Sequence, residues 1–385
     1  ARAKLWIWYV GLSLRDNTPI PPAVLLSELI DYLEERFTVP SGSVAEAITT
    51  QHRLQAFSPA YFTPGAALFS YSLSDCRAAQ RLTKGEPGPA FAQERLPEPG
   101  PEWRTITAPD LERFFMSPVK FFLKERLRIH LDQDTLAIQD RETFSLDALA
   151  RYHLKQRLAE ALLKGKPSSP YDLFKALGLL PHGNLGQAAY GNLLAQTLPF
   201  VERVAAKTGD AMPEELPIDL EIEGFRITGR MALYPAGQVY YRTAKLKARD
   251  YVRAWVRHLI VNAMRPLTPS VCLGTDKGIA YRGLDDAGMF LAQILALYWQ
   301  GLSRPLHLFP ESSWRYAEIK RKDGEDALKA ARKVWEGYAS SSSGERAEAY
   351  YQLYPGEHDA FDDAFEQIAN AFFLPLMDHM AGGMP

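Results

Sequence analysis

Apolar positions change their period several times along this chain, and each change marks an element. The apolar segment Leu5 to Val10 predicts a strand. Val24 to Phe37 places Leu25, Leu29, Tyr32 and Leu33 at helical spacing, behind Pro21 and Pro22, which suit a helix start. From Lys84 to Trp103 the composition shifts to Pro, Gly, Glu and Arg, which predicts a boundary between two domains, 1–100 and 101–385. Beyond it, Thr107 is a predicted N-cap, and Leu111, Phe114, Phe115, Pro118 and Phe122 form one stripe. Pro118 lacks an N–H and crowds the preceding turn, so two short helices are expected to meet there. Phe114, Phe115, Phe121 and Phe122 are expected core. A further amphipathic helix covers roughly 146–163, and LPHGNLG around Pro181 to Gly186 reads as a turn.

Between Ile218 and Leu246 the period becomes two. LEIEGFRITGRMALYP and QVYYRTAKL, separated by Pro235, Ala236 and Gly237, predict a β-hairpin. Helical period returns from Ala248 to Met264, with Val252, Trp255, Val256, Leu259 and Ala263 on one face. A short strand near Val271, a long helix from about Asp285 to Gly301, and helices near 327–339 and 360–374 follow. The segment ASSSSGERAEAY from Ala339 reads as a loop. The alternation of helices and strands points to a mixed α/β (α+β) class.

Composition narrows the function classes. With 46% hydrophobic and 23% charged positions the chain reads as a globular protein with ample core. It contains no apolar run approaching the roughly 20 residues of a membrane helix, and no membrane role is expected. Cys76 and Cys272 stand far apart without His or Cys at ligand spacing, so neither a disulfide framework nor a metal site is expected, and a cytoplasmic location fits. A net charge of −2 argues against a broadly basic nucleic-acid binder, so any DNA contact must be local. The absence of an initiator Met suggests a fragment.

Chemistry enters with the hairpin. Six basic residues, Arg242, Lys245, Lys247, Arg249, Arg253 and Arg257, face one acidic residue, Asp250, between positions 242 and 257. Arg249, Arg253 and Arg257 recur every four residues, opposite the apolar face of the helix. Two readings stand: a phosphate-tracking surface with Tyr240 or Tyr241 stacking on bases, or a solvated face that pairs with acidic surfaces of partners. His153 reads as an ordinary helix-surface or core histidine. In HRLQAFSPAYF, packing by Tyr61 and Phe62 is favoured, with His52 and Arg53 facing DNA or solvent.

Several separated segments, taken jointly, resemble the RecC family, the gamma subunits of exodeoxyribonuclease V. They are YVGLSLRDN with PPAVLLSELIDYL, HRLQAFSPAYFTPG with LFSYS, the FF..P..FFL..RL.I run, ITGRM through YYRTAKLKARDYVRAWVRHL, RPLHLFPESSW and FFLPLMDH. The resemblance implies a RecB-nuclease-like domain of the PD-(D/E)xK type at 101–385. At 1–100 it implies the end of a degenerate superfamily 1 helicase-like domain.

In active relatives, G-x-I-D and D-x-K motifs hold Mg²⁺ and a lysine near the attacking water. The resemblance maps the first onto Gly229 to Ala232 and the second onto Tyr240 to Arg242. Ala232 and Tyr240 then stand where carboxylates belong and Arg242 where lysine belongs. Alanine cannot bind a metal, neutral tyrosine is a poor Mg²⁺ ligand, and arginine cannot accept a proton. In YVGLSLRD, Ser13 and Leu14 occupy a Thr-Arg pair of the helicase motif and Arg15 is displaced by one residue. No catalytic residue, metal or cofactor is therefore expected in this chain. ATP and Mg²⁺ would serve partner subunits, RecB-like and RecD-like, acting on a DNA end and its separated strands. The rivals are a nuclease using Asp219, Glu221 or Asp250, and a purely structural docking module.

Overall fold

A computed structural model describes residues 4–13, 18–85, 95–131, 144–165, 170–209, 211–338, 342–353 and 360–384. The chain divides into two compact units, Ala1–Pro89 and Ala90–Pro385, and the division falls inside the Pro- and Gly-rich segment.

In the first unit, α1 (Val24–Arg36), α2 (Val44–Ile48) and α3 (Leu73–Lys84) follow one another. α2 starts at a reciprocal cap: Ser43 Oγ accepts the Glu46 N–H at 3.1 Å, and Glu46 Oε2 accepts the Ser43 N–H at 3.2 Å. Tyr61 Oη accepts the Arg53 N–H at 2.8 Å and lies 3.2 Å from His52 Nδ1, so that segment folds back on itself. The expected strand at Leu5 to Val10 does not form. An extended segment becomes a strand only beside a second one, and the nearest pairing among the described residues is the single bridge Leu12 to Pro19. Leu14, Arg15 and Asp16, on which the helicase-motif likeness turns, lie outside the described residues.

In the second unit, β1 (Thr105–Thr107) runs directly into α4 (Ala108–Met116). Thr107 Oγ1 accepts the Asp110 N–H at 3.2 Å, the cap expected from the sequence. Pro118 ends that helix and opens α5 (Pro118–Phe121), after which Phe122–Arg126 form one π turn. All four phenylalanines are buried, and Phe114 meets Phe115, Phe121 and Tyr298 edge-on at 4.9, 5.4 and 5.0 Å between ring centres. Each buried phenylalanine contributes about 1.5–3 kcal/mol.

Next come α6 (Ala148–Leu163), α7 (Pro170–Ala176) and α8 (Gly183–Thr208). α6 begins later than its apolar pattern because Asp147 caps it, accepting the Ala150 N–H at 2.7 Å. α8 begins within the segment read as a turn and continues through Pro199; its glycines and internal proline obscure the helical signal.

β2 (Glu214–Ile222) and β3 (Phe225–Leu233) form the hairpin, turning at Glu223 and Gly224. Both turn residues have positive φ, +48° and +74°, as a two-residue turn of this hand requires. The hairpin expected about Pro235 to Gly237 is therefore misplaced by one strand. The chain does turn there, with Tyr234 and Gly237 bridged, but β4 (Gln238–Tyr241) leaves β3 for another sheet. Gly237 permits this departure: its φ is +115°, and a Cβ would lie 2.2 Å from Pro269 O. Gln238 N–H then donates to the same Pro269 O at 3.0 Å, aligning β4 with the next strand.

α9 (Ala248–Met264) links β4 to its parallel neighbour β5 (Ser270–Leu273), a β-helix-β crossover. β6 (Gly278–Tyr281), α10 (Ala287–Ser303), α11 (Pro310–Lys320), α12 (Ala327–Glu336), β7 (Gly337–Tyr338), β8 (Ser342–Ser343), α13 (Ala349–Gln352), α14 (Asp363–Asp378) and β9 (Met380–Met384) complete the order. The expected loop after Ala339 thus contains β8 and α13, with 339–341 outside the described residues. One sheet has order β1-β3-β2 and a second β4-β5-β6-β9, giving a mixed α/β architecture.

α9 is the hub. Val252, Trp255, Val256 and Leu259 are buried as expected, but so are Tyr251, Ala254, Ile260 and Val261. Helices and strands surround it on nearly every side. Among the described residues no helix is long and apolar enough to cross a membrane.

Candidate nucleic-acid interface

The stripe Arg249, Arg253 and Arg257 is not the solvated face that its spacing predicts. Each side chain is about one-third exposed, and each meets a carboxylate of this same chain. Arg257 Nε donates to Glu112 Oε1 at 2.7 Å, Arg253 Nε lies 3.7 Å from the other Glu112 oxygen, and Arg249 is ion-paired with Glu348. Glu112 sits on α4 with its side chain only 5% exposed, so it bridges α4 to two successive turns of α9.

Asp250 is the second acidic centre and is equally buried. Its position in the first turn of α9 lets Oδ2 accept the Lys247 N–H at 2.9 Å, where the helix dipole also favours negative charge. The same oxygen accepts Arg242 Nη1 at 2.8 Å, while Oδ1 accepts Tyr240 Oη at 3.3 Å. Tyr240 in turn accepts Arg253 Nη1 at 2.7 Å. Burial pushes the Tyr240 phenol up to about 12, so it keeps its proton and donates it to Asp250. Burial likewise raises the thiol of Cys272, which pairs with Tyr240 across β4 and β5, and keeps it neutral.

The Tyr240 and Arg242 expected at a degenerate site are thus in one cluster. Ala232 is not with them. It lies on the exposed side of β3 opposite Glu215, whereas its buried neighbour Met231 accepts Gln238 Nε2 at 3.5 Å on the other face. Lys245 and Lys247 are exposed on the connection between β4 and α9. His153 is exposed on α6. Of the rival ligands, Asp219 is held by both nitrogens of an Arg226 fork, at 2.7 and 2.8 Å, and Glu221 is exposed on β2.

Arg242, Arg249 and Arg253 line a cleft of about 430 Å³ whose opposite wall carries Arg113, Lys120 and Lys124. Sequence reading missed this second wall and also missed Glu112. Both left a signal: Lys120 and Lys124 are one helical turn apart, and Glu112 is a carboxylate beside Leu111 and Phe115 on an otherwise apolar face. Tyr152 of α6 also lines the cleft, with the Arg242 guanidinium 5.2 Å from its ring centre.

The donors do not fit a divalent metal. Both oxygens of Asp250 and of Glu112 already face protein cations, an N–H group or the Tyr240 hydroxyl, and among the described residues no three His, Cys, Asp or Glu side chains converge.

The family model of the RecC C-terminal domain matches residues 103–321, more than half of the chain and the span that carries α4, β4 and α9. This chain belongs to the RecC family. The RecBCD enzyme subunit RecC of Escherichia coli (strain K12) is 28% identical over 98% of this chain and 35% of its own length. RecC of Mycobacterium tuberculosis (strain CDC 1551 / Oshkosh) is 30% identical, over 87% of this chain and 31% of its own. RecC of Mycolicibacterium smegmatis is 29% identical, over 86% and 31%. This RecC-family chain spans about a third of the length of these curated relatives.

Proposed function

We propose that this chain is the C-terminal part of a RecC-type subunit of a RecBCD helicase-nuclease, in which it guides separated DNA strands and docks partner subunits without cutting DNA. In this reading 101–385 is a RecB-nuclease-like domain whose catalytic positions are degenerate, and 1–100 is the end of a helicase-like domain. RecB-like and RecD-like partners supply ATP- and Mg²⁺-dependent chemistry in the cytoplasm during double-strand-break repair.

The observation that carries this reading is the commitment of the buried carboxylates. In a metal-dependent nuclease, acidic side chains are held ready for Mg²⁺. Here Asp250 and Glu112 are neutralised by arginines, and the cleft beside them is lined by basic side chains. Asp219, another rival ligand, is spent on Arg226.

The test is direct. The chain is incubated with linear DNA and Mg²⁺ or Mn²⁺, and its DNA affinity is measured across a salt series. Salt-dependent binding without cutting is expected. Metal-dependent cutting abolished by Asp250→Ala would overturn the reading.

A further inference from the structure

α11 starts without a cap of its own. Its N-cap residue, Phe309, carries no side-chain acceptor, and N–H groups of the first turn are taken instead by Glu345, from a distant part of the chain. Glu345 accepts the Glu311 N–H at 3.2 Å, the Ser312 N–H at 2.9 Å and the Ser312 hydroxyl at 2.7 Å. Ser312 is fully buried, so the carboxylate that reaches it is largely shut off from water. Glu345 opens a short 3-10 turn, Glu345–Ala347, which α13 follows.

Three carboxylates share one guanidinium at this junction. The cation that acts on Glu345 is Arg249 of α9, but Arg249 is already ion-paired with Glu348. From α11, Glu311 turns Oε2 to the Ala248 N–H at 3.2 Å and leaves Oε1 buried without a partner. α12 meets Gly344 with the main chain of Trp335 to Gly337; its Lys329, Lys333 and Glu336 are exposed, and Arg332 lies over Phe361. α13 adds the buried Tyr351, whose phenol burial keeps protonated. Among the described residues Glu345 thus has no counterion of its own, and a buried carboxylate in that position takes up a proton readily. Burial raises its carboxyl from 4.5 to about 7, against the pull of the Ser312 hydrogen bonds and of Arg249.

We propose that segment 342–353 is a proton-operated latch, seated on α11 while Glu345 is neutral and loosened when Glu345 ionises. Because the seated state prefers the proton, its added stability is full below about pH 4.5 and is lost as pH rises through about 7. Glu348 rides on the same segment, so loosening also withdraws the carboxylate that neutralises Arg249 on the wall of the cleft. The latch does not depend on the strand-guiding reading.

Amide hydrogen exchange of the 385-residue chain reads the latch, by mass spectrometry of peptides covering 345–353 and after correction for the intrinsic effect of pH. The Ala347, Glu348, Tyr351 and Gln352 N–H groups donate within the segment and report its opening. Their protection is expected to fall about tenfold between pH 6 and pH 8, while peptides from α9 show no such fall. Glu345→Gln keeps an acceptor for α11 but cannot ionise, so its protection should stay within about twofold over the same range. Glu348→Gln frees Arg249 to neutralise Glu345, and should move the fall to lower pH by about one unit.

Protection in the wild-type chain that is flat between pH 6 and pH 8, or a fall that persists in Glu345→Gln, overturns the latch. If thermal unfolding shows that Glu345→Gln does not fold, Glu348→Gln decides. A midpoint that stays in place then overturns the latch, and a shift to lower pH supports it.

Discussion

Replacing Asp250 separates an inherited catalytic acid from a structural ion-pair centre, because the two respond to its removal with opposite signs. Catalytic carboxylates are held near like charge and partly desolvated, so deleting one is commonly neutral or stabilising. Asp250, by contrast, is 5% exposed and accepts from Arg242, Tyr240 and the Lys247 N–H. Asp250→Ala strands the Arg242 guanidinium, itself 25% exposed, and uncaps the start of α9. Removing one member of a buried pair costs about 3–5 kcal/mol. With a urea slope of about 2–3 kcal/mol per molar, the unfolding midpoint of the second unit should fall by about 1 M or more. Asp250→Asn keeps an acceptor for Tyr240 but no charge for Arg242, and should fall between the two. Urea titrations of the three proteins at neutral pH measure this. An Asp250→Ala protein as stable as wild type, or more stable, would refute the ion-pair account.

Two further outcomes follow from buried groups elsewhere. His258 is fully buried, 2.7 Å from Ser270 Oγ, and burial lowers its imidazole from 6.5 to about 4. The folded state therefore favours the neutral ring: stability is full above about pH 6.5 and is lost as pH falls toward 4, by about 3 kcal/mol in total. His258→Gln should flatten that part of the pH profile, and parallel wild-type and variant profiles would contradict it. Gly237→Ala should lower Tm by several degrees, combining a strain of about 1–3 kcal/mol with a clash against Pro269 O. Gly224→Ala, whose nearest neighbour is Arg104 Nη1 at 3.4 Å, should cost less, and equal losses would show that the clash is not what matters.

Periodicity located what depends on near neighbours. The apolar face of α9, the cap at Thr107 and the break at Pro118 each follow from residues within a few positions, and each stands where the sequence puts it. What failed depended on distant partners. Leu5 to Val10 has the residues of a strand but no neighbouring strand among the described residues, and β4 departs from β3 because Pro269 offers an acceptor far along the chain.

The site divides in the same way. Arg249, Arg253 and Arg257 were visible as a stripe, yet their role depends on Glu112 and Glu348, which are more than ninety residues away in either direction. Helical spacing says which side chains share a face, but not what that face meets.

The bridging of Glu112 to both Arg253 and Arg257 also limits how these positions can change over time. Losing the acid alone leaves two partly buried cations facing each other. Losing either arginine alone leaves a sequestered carboxylate half-compensated. Changes that survive are those in which an exchange on α4 is matched by one on α9, so the three residues drift together or not at all, although 141 positions separate the first two.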